Sequence, residues 1–266
     1  YFRLVEADEL KPTMAMDVLC GRKLGAVFRN VVPAPVLEAL IANFTTSSGR
    51  RTRGTDAPGE YLGAYHYNKT TDEYLDQTDA VRADLKVALD VAGEPLGLLR
   101  EKLSEALAPC GIRFRRAGHG GREACVGIFR SWQGQHGFAL APHEDLSQCE
   151  SPKQSGFEIQ NVAARVIASV NVCLSNGPGG RLVMWNLRPD EATRVRLGVQ
   201  YTGSPYPLEA LSSFERLRLD VRPGDIYLIN SSHVHAVEAV RDQSALRVTL
   251  SMLLGFADDE TLISWT

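Results

Sequence analysis

The spacing of apolar residues changes near Cys110, and this change limits the fold of the chain more than any other feature. Beyond it come about eight short extended runs, separated by turns rich in Gly, Pro, Asn and Asp. Leu217, Leu219 and Val221 alternate with charged residues, as is typical of strands with one buried face. The runs cover 125–132, 136–145, 164–175, 180–186, 215–222, 225–232, 235–240 and 245–256.

The first part of the chain differs, because its apolar residues recur at helical spacing. Helices are predicted to begin after Pro33, at Thr70 and at Pro95, and Thr70 with Glu73 fits a capping box. Helices followed by many short strands predict one α+β domain, in which helices buttress a β-rich sandwich or jelly roll. The predicted parts of this single domain, 1–266, are a helix-rich buttress over 1–111, a jelly-roll core over 112–256 and a C-terminal tail over 257–266.

The composition limits the kind of partner. The net charge of −3, without any run of Lys or Arg, gives no reason to expect nucleic acid or a membrane surface. No stretch approaches the roughly 20 apolar residues of a membrane helix, and the first residues lack the pattern of a signal peptide. Five scattered cysteines without a C-x-x-C motif favour reduced thiols in a cytoplasmic protein. The expected partner is therefore a small molecule, and nothing indicates the oligomeric state.

The run His143-Glu144-Asp145 follows directly on the second extended run. Residues two apart on a strand share a face, so His143 and Asp145 are expected to project together, with Glu144 turned away. An imidazole beside a carboxylate makes up two thirds of the 2-His-1-carboxylate facial triad that binds Fe(II). Because His-x-Asp is common by chance, this interpretation requires a second histidine downstream.

Two histidines, His233 and His235, can supply the second imidazole. They lie two residues apart and share a face, so spacing cannot choose between them. His235 is favoured because an apolar strand follows it directly, and the hydrogen bonds of that strand would fix the ligand. The other histidines, His66, His119 and His136, are interpreted as surface or hydrogen-bonded core residues.

Arg247 lies inside the apolar run 246–254. A buried arginine is costly unless a partner satisfies it, and a carboxylate fits the guanidinium fork best. Thr249 shares the face of Arg247 and can add a hydroxyl, so the strand offers a clamp for a small acid. The alternative is a structural arginine paired with an internal Asp or Glu.

Other residues are candidates for contact with a substrate. Arg130 and Trp132 lie two apart on the first extended run and are predicted either to face a cavity or to form one packed face of the strand. Glu158 belongs to the polar segment 149–161, which is predicted to be a lid. Tyr65 lies in an aromatic-rich loop, whose rings either pack together or contact substrate.

In this order, His143-x-Asp145, a Pro-Gly-Asp turn leading to His235, and Arg247-x-Thr249 resemble the Fe(II)/2-oxoglutarate-dependent oxygenases. The resemblance covers about 125–256. The Gly-Gly-Arg-Leu-Val-Met-Trp-Asn run and the Asn-Ser-Ser-His-Val-His-Ala-Val-Glu tract are similar to one branch, which holds carrier-independent halogenases and hydroxylases of free amino acids and alkaloid natural products. The resemblance to these oxygenases implies a double-stranded β-helix (jelly roll, cupin-like) core.

The resemblance also implies roles for single residues. His143, Asp145 and His235 match the iron ligands, and Arg247 matches the residue that binds the distal carboxylate of 2-oxoglutarate, with Thr249 beside it. Asn171, a polar residue in an apolar strand, needs a partner, which is either 2-oxoglutarate or backbone.

The implied activity is hydroxylation of an unactivated C–H bond of a free amino acid or natural-product intermediate, with O2 consumed and succinate and CO2 released. Halogenases of this branch carry a small residue in place of the carboxylate ligand, so Asp145 favours hydroxylation. The alternatives are desaturation or cyclisation on the same scaffold, a jelly-roll binding module without turnover, and a zinc hydrolase.

Overall fold

The computed structural model describes residues 1–54, 59–132, 137–242 and 245–266. The helices predicted to begin near Pro33, Thr70 and Pro95 are confirmed, and the capping box at Thr70 and Glu73 is formed. In the described part of the chain, no helix is long and apolar enough to cross a membrane. The α-helices are α1 (Pro12–Leu19), α2 (Ala34–Thr46), α3 (Thr71–Ala88), α4 (Pro95–Leu107), α5 (Leu146–Cys149), α6 (Glu191–Arg196) and α7 (Leu208–Leu211).

The predicted extended runs each contain one strand, and these form β8 to β15 in the list that follows. The strands are β1 (Leu4–Ala7), β2 (Gly25–Phe28), β3 (Arg51–Thr52), β4 (Glu60–Leu62), β5 (Arg113–Arg116), β6 (Gly118–His119), β7 (Arg122–Glu123), β8 (Ile128–Trp132), β9 (Phe138–His143), β10 (Ile167–Ser175), β11 (Leu182–Trp185), β12 (Arg216–Leu219), β13 (Ile226–Asn230), β14 (His235–Glu238), β15 (Arg247–Phe256) and β16 (Thr261–Trp265).

Two sheets carry most of these strands. The larger has the order β1-β2-β13-β10-β15-β8-β4-β3, with β16 pairing to β15 and β5 pairing to β16. The smaller has the order β12-β11-β14-β9. Strands β8 to β15 are shared between the two sheets, and neighbouring strands among them pair antiparallel.

The two faces of the larger sheet differ in polarity because its strands alternate. Val170, Val172 and Leu250 belong to one apolar cluster with Leu40 and Phe44 of α2, so this face packs against the N-terminal helices. The residues between them point to the other face, towards the smaller sheet. They include Asn171 of β10 and Arg247 of β15, two polar residues in apolar strands that need a partner.

The prediction of a C-terminal tail over 257–266 is wrong. Strand β15 extends beyond the end of β8, which leaves one edge of its last residues unpaired. Strand β16 covers this edge, pairing antiparallel with β15 and parallel with β5, and Trp265 is fully buried. The division at 111 also needs correction, because β2 of the N-terminal part pairs with β13 in the middle of the larger sheet. Exposed sheet edges promote association, so covering them has a clear physical reason.

Candidate active site

A cavity of about 270 Å³ lies between the two sheets. Strands β8, β10, β13 and β15 line it from the larger sheet, and β9, β11 and β14 line it from the smaller one. Residues after β3, β4 and β9, the segment before α7 and the last residue, Thr266, also line it. A cavity of this volume takes small molecules rather than a macromolecular segment.

His143, Asp145 and His235 meet at one side of this cavity. His143 and His235 lie opposite each other in the pairing of β9 with β14, and their ring centroids are 4.1 Å apart. Asp145 Oδ1 is 4.0 Å from His143 Nε2, and its Oδ2 is 3.9 Å from His235 Nε2. One potential ligand atom from each residue lies within 4.8 Å of the others, and all three residues are buried. This is the donor set of a facial triad, so the residues present fit a single Fe(II) ion.

Backbone carbonyl groups orient both imidazoles. His143 Nδ1 donates to the carbonyl oxygen of Ala141 at 2.8 Å, and His235 Nδ1 donates to that of His233 at 2.9 Å. Both Nε2 atoms therefore carry free lone pairs next to Asp145. Burial lowers the pKa of His143 to about 3, with the neighbouring His235 adding to the effect, so the ring is neutral near pH 7. Such second hydrogen bonds fix the tautomer that a metal ligand needs.

The structure also distinguishes the two downstream histidines. The ring of His233 lies 5.7 Å from that of Tyr1 and 6.5 Å from that of Phe2, centroid to centroid. Among the described residues that line the cavity, His235 is present and His233 is absent. The preference for His235 thus agrees with the geometry.

Glu144 is turned away from the cavity, as the strand alternation predicts. Its carboxylate accepts hydrogen bonds from the backbone N–H groups of Leu146 and Ser147 at 2.6 and 3.0 Å. It also accepts from the hydroxyl groups of Ser147 and Tyr206. Glu144 is fully buried, and burial raises the pKa of its carboxyl group. This network holds the turn that presents Asp145.

Replacing Glu144 with alanine is expected to lower the free energy of unfolding by about 2 kcal/mol, because two buried N–H groups lose their acceptor. The cost of burying the carboxylate offsets part of the loss. Tyr206→Phe removes only one contact and is expected to cost less than about 1 kcal/mol. Urea denaturation of both variants measures the difference, and equal effects would contradict the role assigned to Glu144.

Arg247 lies at another part of the cavity and is 1% exposed. Its Nη2 donates to the Tyr227 hydroxyl at 3.0 Å, whereas its Nε has no acceptor in the part of the chain that the structure describes. No acidic side chain of the described residues forms a salt bridge with it, so the alternative of a structural ion pair finds no support. Asn171, directly opposite Tyr227 and Ser251 in the sheet, also lines the cavity and donates to Ser169 Oγ at 2.9 Å.

Thr249 shares the face of Arg247, as predicted, but has a different contact. Its hydroxyl accepts a hydrogen bond from the Trp132 indole at 3.4 Å. Trp132 lies opposite Arg247 in the pairing of β8 with β15, and both line the cavity. Thr249 therefore helps to fix the position of Trp132, which lines the cavity.

Arg130 lines the cavity next to these groups, and its Nε has no acceptor among the described residues. Burial lowers its pKa to about 9, and the positive charge of Arg53 contributes. Arg53, which the sequence did not single out, also lines the cavity, with Nη1 unpaired and its guanidinium 4.8 Å from the Tyr65 ring centroid. Two cations beside one cavity, each with a buried nitrogen that has no acceptor among the described residues, fit an anionic group of a ligand.

The remaining predicted residues divide into three groups. Tyr65 lines the cavity, as does His66, which was interpreted as a surface or core residue. Glu158 does not: its carboxylate pairs with Arg115, accepts from the Gly118 N–H at 2.8 Å and borders a separate surface cleft. The prediction of substrate contact by Glu158 therefore needs correction. His136 lies outside the described residues.

This chain is similar in sequence to a known dioxygenase. The sequence matches no family model. It is 33% identical over 248 residues to an L-isoleucine 3(1)-dioxygenase of Pantoea ananatis (strain AJ13355), covering 90% of this chain and 82% of that one.

Solved structures share the fold at lower identity. An N-substituted L-amino acid dioxygenase from Burkholderia ambifaria AMMD has a TM-score of 0.61 at 16% identity, covering 96% of this chain and 91% of that one. The same kind of enzyme in complex with α-ketoglutarate gives 0.59 at 18%, with 94% and 89% covered. A non-heme α-ketoglutarate-dependent epimerase from nogalamycin biosynthesis gives 0.50 at 14%, with 92% and 86% covered.

Proposed function

Because the chain belongs to the Fe(II)/2-oxoglutarate-dependent oxygenases, we propose that it hydroxylates an unactivated C–H bond of a small aliphatic amino acid. It is a dioxygenase that uses Fe(II) and 2-oxoglutarate. The single observation that carries the substrate proposal is that the triad, Arg247 and Arg130, whose Nε has no acceptor among the described residues, border one cavity. The relative that acts on L-isoleucine supports the same substrate class.

The two facing sheets support a double-stranded β-helix, or jelly roll, as the core. In this arrangement β9 and β14 carry His143 and His235 on adjacent strands, and β15 carries Arg247 on the opposite sheet. Ligands of the metal and of its co-substrate then come from rigid elements on both sides of one space. Sites built on strands hold their side chains more exactly in place than sites on loops.

His143, Asp145 and His235 would hold the Fe(II) ion through two neutral imidazoles and one carboxylate. Bound Fe(II) supplies the redox centre at which O2 oxidises 2-oxoglutarate to succinate and CO2 and the substrate C–H bond is hydroxylated. The chain retains a carboxylate at Asp145, so no ligand position is left for chloride, which supports hydroxylation over halogenation.

Arg247 would bind the distal carboxylate of 2-oxoglutarate together with the Tyr227 hydroxyl, with Asn171 beside them. The described lining contains three arginines and one carboxylate side chain, so the cavity is electrostatically suited to a dicarboxylate. Burial strengthens each of these interactions, because water cannot screen them.

Arg130, with Arg53 close by, would bind the carboxylate of the amino acid. The wall near the triad is apolar, with Leu140, Leu182 and Val237 from the smaller sheet. An aliphatic side chain packs against such a wall and leaves no polar group unpaired. The substrate would thus be held by its charged end while its hydrocarbon end lies near the metal ligands.

The Arg130→Gln variant tests this assignment. It is expected to raise KM for L-isoleucine on the order of 50-fold, because a buried charge-assisted hydrogen bond is lost, and to change KM for 2-oxoglutarate little. Arg181→Gln is the matched control, since Arg181 pairs with Glu238 and does not line the cavity. Succinate release is the assay.

Turnover itself is tested with the wild-type enzyme, reconstituted with Fe(II) and 2-oxoglutarate and offered each of the proteinogenic L-amino acids. Stoichiometric succinate and a hydroxylated product with at least one aliphatic amino acid are expected. Succinate release that no amino acid stimulates would contradict the proposed substrate class.

A further inference from the structure

One nitrogen of His66 is buried without a partner in the described part of the chain. His66 is 2% exposed and lines the cavity, and its Nε2 has no hydrogen-bond partner among the described residues. Buried polar atoms in native proteins are nearly always paired. An unpaired nitrogen on the wall of a ligand cavity therefore points to a group on the ligand.

Gln154 determines which form the imidazole takes. The Gln154 amide Nε2 donates to the backbone carbonyl of His66 at 2.8 Å, so its Oε1 is the atom 3.1 Å from His66 Nδ1. An amide oxygen only accepts, and Nδ1 must therefore carry the proton. Burial lowers the pKa of His66 to about 4, so the ring is neutral near pH 7. The free Nε2 is then a hydrogen-bond acceptor, which repels a carboxylate and attracts an N–H or O–H group.

The position of this acceptor is fixed on several sides. The ring lies edge-on to Tyr74 and Trp265, with centroids 6.3 and 6.5 Å away. The His66 backbone N–H donates to the Thr266 carbonyl at 2.9 Å, and Gln154 is itself 1% exposed. The imidazole is therefore held in one orientation before a ligand binds.

We propose that His66 accepts a hydrogen bond from the ammonium group of the substrate and so selects amino acids with an unsubstituted α-nitrogen. This inference rests on the proposed amino-acid hydroxylase function. Arg130 and His66 line the same cavity, one suited to the carboxylate and the other to the ammonium group that an α-amino acid carries one carbon away. Acylation of the α-nitrogen would remove its positive charge and two of its three N–H donors. The acyl group would also fill the space next to the His66 ring.

Asp145 favours a cationic donor near His66. Its negative charge has a larger effect on the His66 ring than the positive charge of Lys69 or of Arg130, each of which acts in the opposite direction. Asp145 is the one carboxylate side chain in the described lining and would attract an ammonium group to this side. A neutral acceptor between such groups binds a charged donor more strongly than a neutral one.

A cycle of two proteins and two ligands tests the proposal. The ligands are L-isoleucine and 3-methylpentanoate, its analogue with hydrogen in place of the ammonium group; the proteins are the wild type and His66→Leu. Calorimetric titration of the anaerobic Fe(II)/2-oxoglutarate complex is expected to show about 30-fold weaker binding of L-isoleucine to the variant. Binding of 3-methylpentanoate is expected to change less than about 3-fold, whereas a merely structural role would weaken both ligands equally.

Two further variants sharpen the result. His66→Gln returns an acceptor oxygen and is expected to recover L-isoleucine binding to within about 5-fold of the wild type. His119→Leu is the matched control, because His119 bonds to the Gly156 carbonyl and borders the surface cleft instead of the cavity. If His66→Leu does not fold, the wild type decides: it must bind L-isoleucine at least about 30-fold more tightly than N-acetyl-L-isoleucine.

The outcomes separate this inference from the function on which it rests. Equal losses for both ligands, or equal binding of L-isoleucine and its N-acetyl form, would overturn the role of His66 and leave amino-acid hydroxylation standing. A wild-type enzyme that binds none of L-isoleucine, L-leucine and L-valine would overturn both.

Discussion

Replacing His235 with alanine is expected to lower kcat/KM by about 1,000-fold or more and to reduce bound iron well below one equivalent. The imidazole Nε2 lies 3.9 Å from Asp145 Oδ2, and its Nδ1 is committed to a backbone carbonyl, so the ring can serve one metal ion only through Nε2. Loss of one ligand of three removes both affinity and the geometry of the site. Succinate release and iron content after anaerobic reconstitution measure the two effects.

His233→Ala is the matched control for this variant. It removes the same type of side chain two residues away, from a ring that packs against Tyr1 and Phe2. The control is expected to keep a full equivalent of iron and activity within about 3-fold of the wild type, although its stability falls with the lost packing. Iron loss in His233→Ala with retention in His235→Ala would reverse the ligand assignment.

The strands and the cluster of three candidate metal ligands could be predicted because local patterns encode them. Alternation with period two marks each strand, and it also placed Arg130 and Trp132 on one face and turned Glu144 away. His143 ends β9, Asp145 follows it and His235 begins β14, and their order along the chain with Arg247 is more specific than any one of these residues. Spacing could not choose between His233 and His235, and the geometry favours His235 because it clusters with His143 and Asp145.

The residues that sequence reasoning missed depend on contacts between distant parts of the chain. Arg53 and His66 reach the cavity because β4 pairs with β8, with Tyr61 opposite Arg130, and no local pattern reveals this pairing. Tyr227 was within reach of prediction, since it alternates with Ile229 on the face that β13 turns to the cavity. Its contact with Arg247 could not be predicted, because it depends on how β13 and β15 are arranged in the sheet.

The predictions of substrate contact by Glu158 and of a C-terminal tail over 257–266 need correction for the same reason. The polar segment after the metal motif gave Glu158 the character of a lid residue, but Arg115, far away in sequence, neutralises its charge at the surface. Strand β16 is short and follows a charged turn, and its burial depends on the free edge of β15. In both cases a long-range partner overrides the local signal.

Replacing Arg247 with methionine is expected to raise KM for 2-oxoglutarate about 100-fold while iron binding remains. The guanidinium is fully buried and shares its cavity side with the Tyr227 hydroxyl, so a dicarboxylate loses its charged partner there. Methionine keeps much of the side-chain length and packs without a polar group. Tyr227→Phe, which removes only the hydroxyl, is expected to raise this KM by about 5-fold.

Thermal denaturation separates cofactor binding from fold stability in the same variant. Without 2-oxoglutarate, Arg247→Met is expected to be at least as stable as the wild type, because the buried Nε has no acceptor in the described structure. The rise in Tm that 2-oxoglutarate gives the wild type is expected to disappear, since stabilisation by a ligand follows its affinity. Parallel losses in both conditions would mean that Arg247 has a structural role.

Arg247→Met and Arg130→Gln together form a crossed test. The first is expected to weaken 2-oxoglutarate and the second L-isoleucine, because each guanidinium lacks an acceptor at Nε among the described residues and only Arg247 is bonded to the Tyr227 hydroxyl there. A binding module without turnover would bind small acids equally well after Arg247→Met, and a zinc hydrolase would keep its activity. Loss of 2-oxoglutarate binding and of succinate release in this variant, with iron retained, is the result that only an oxygenase predicts.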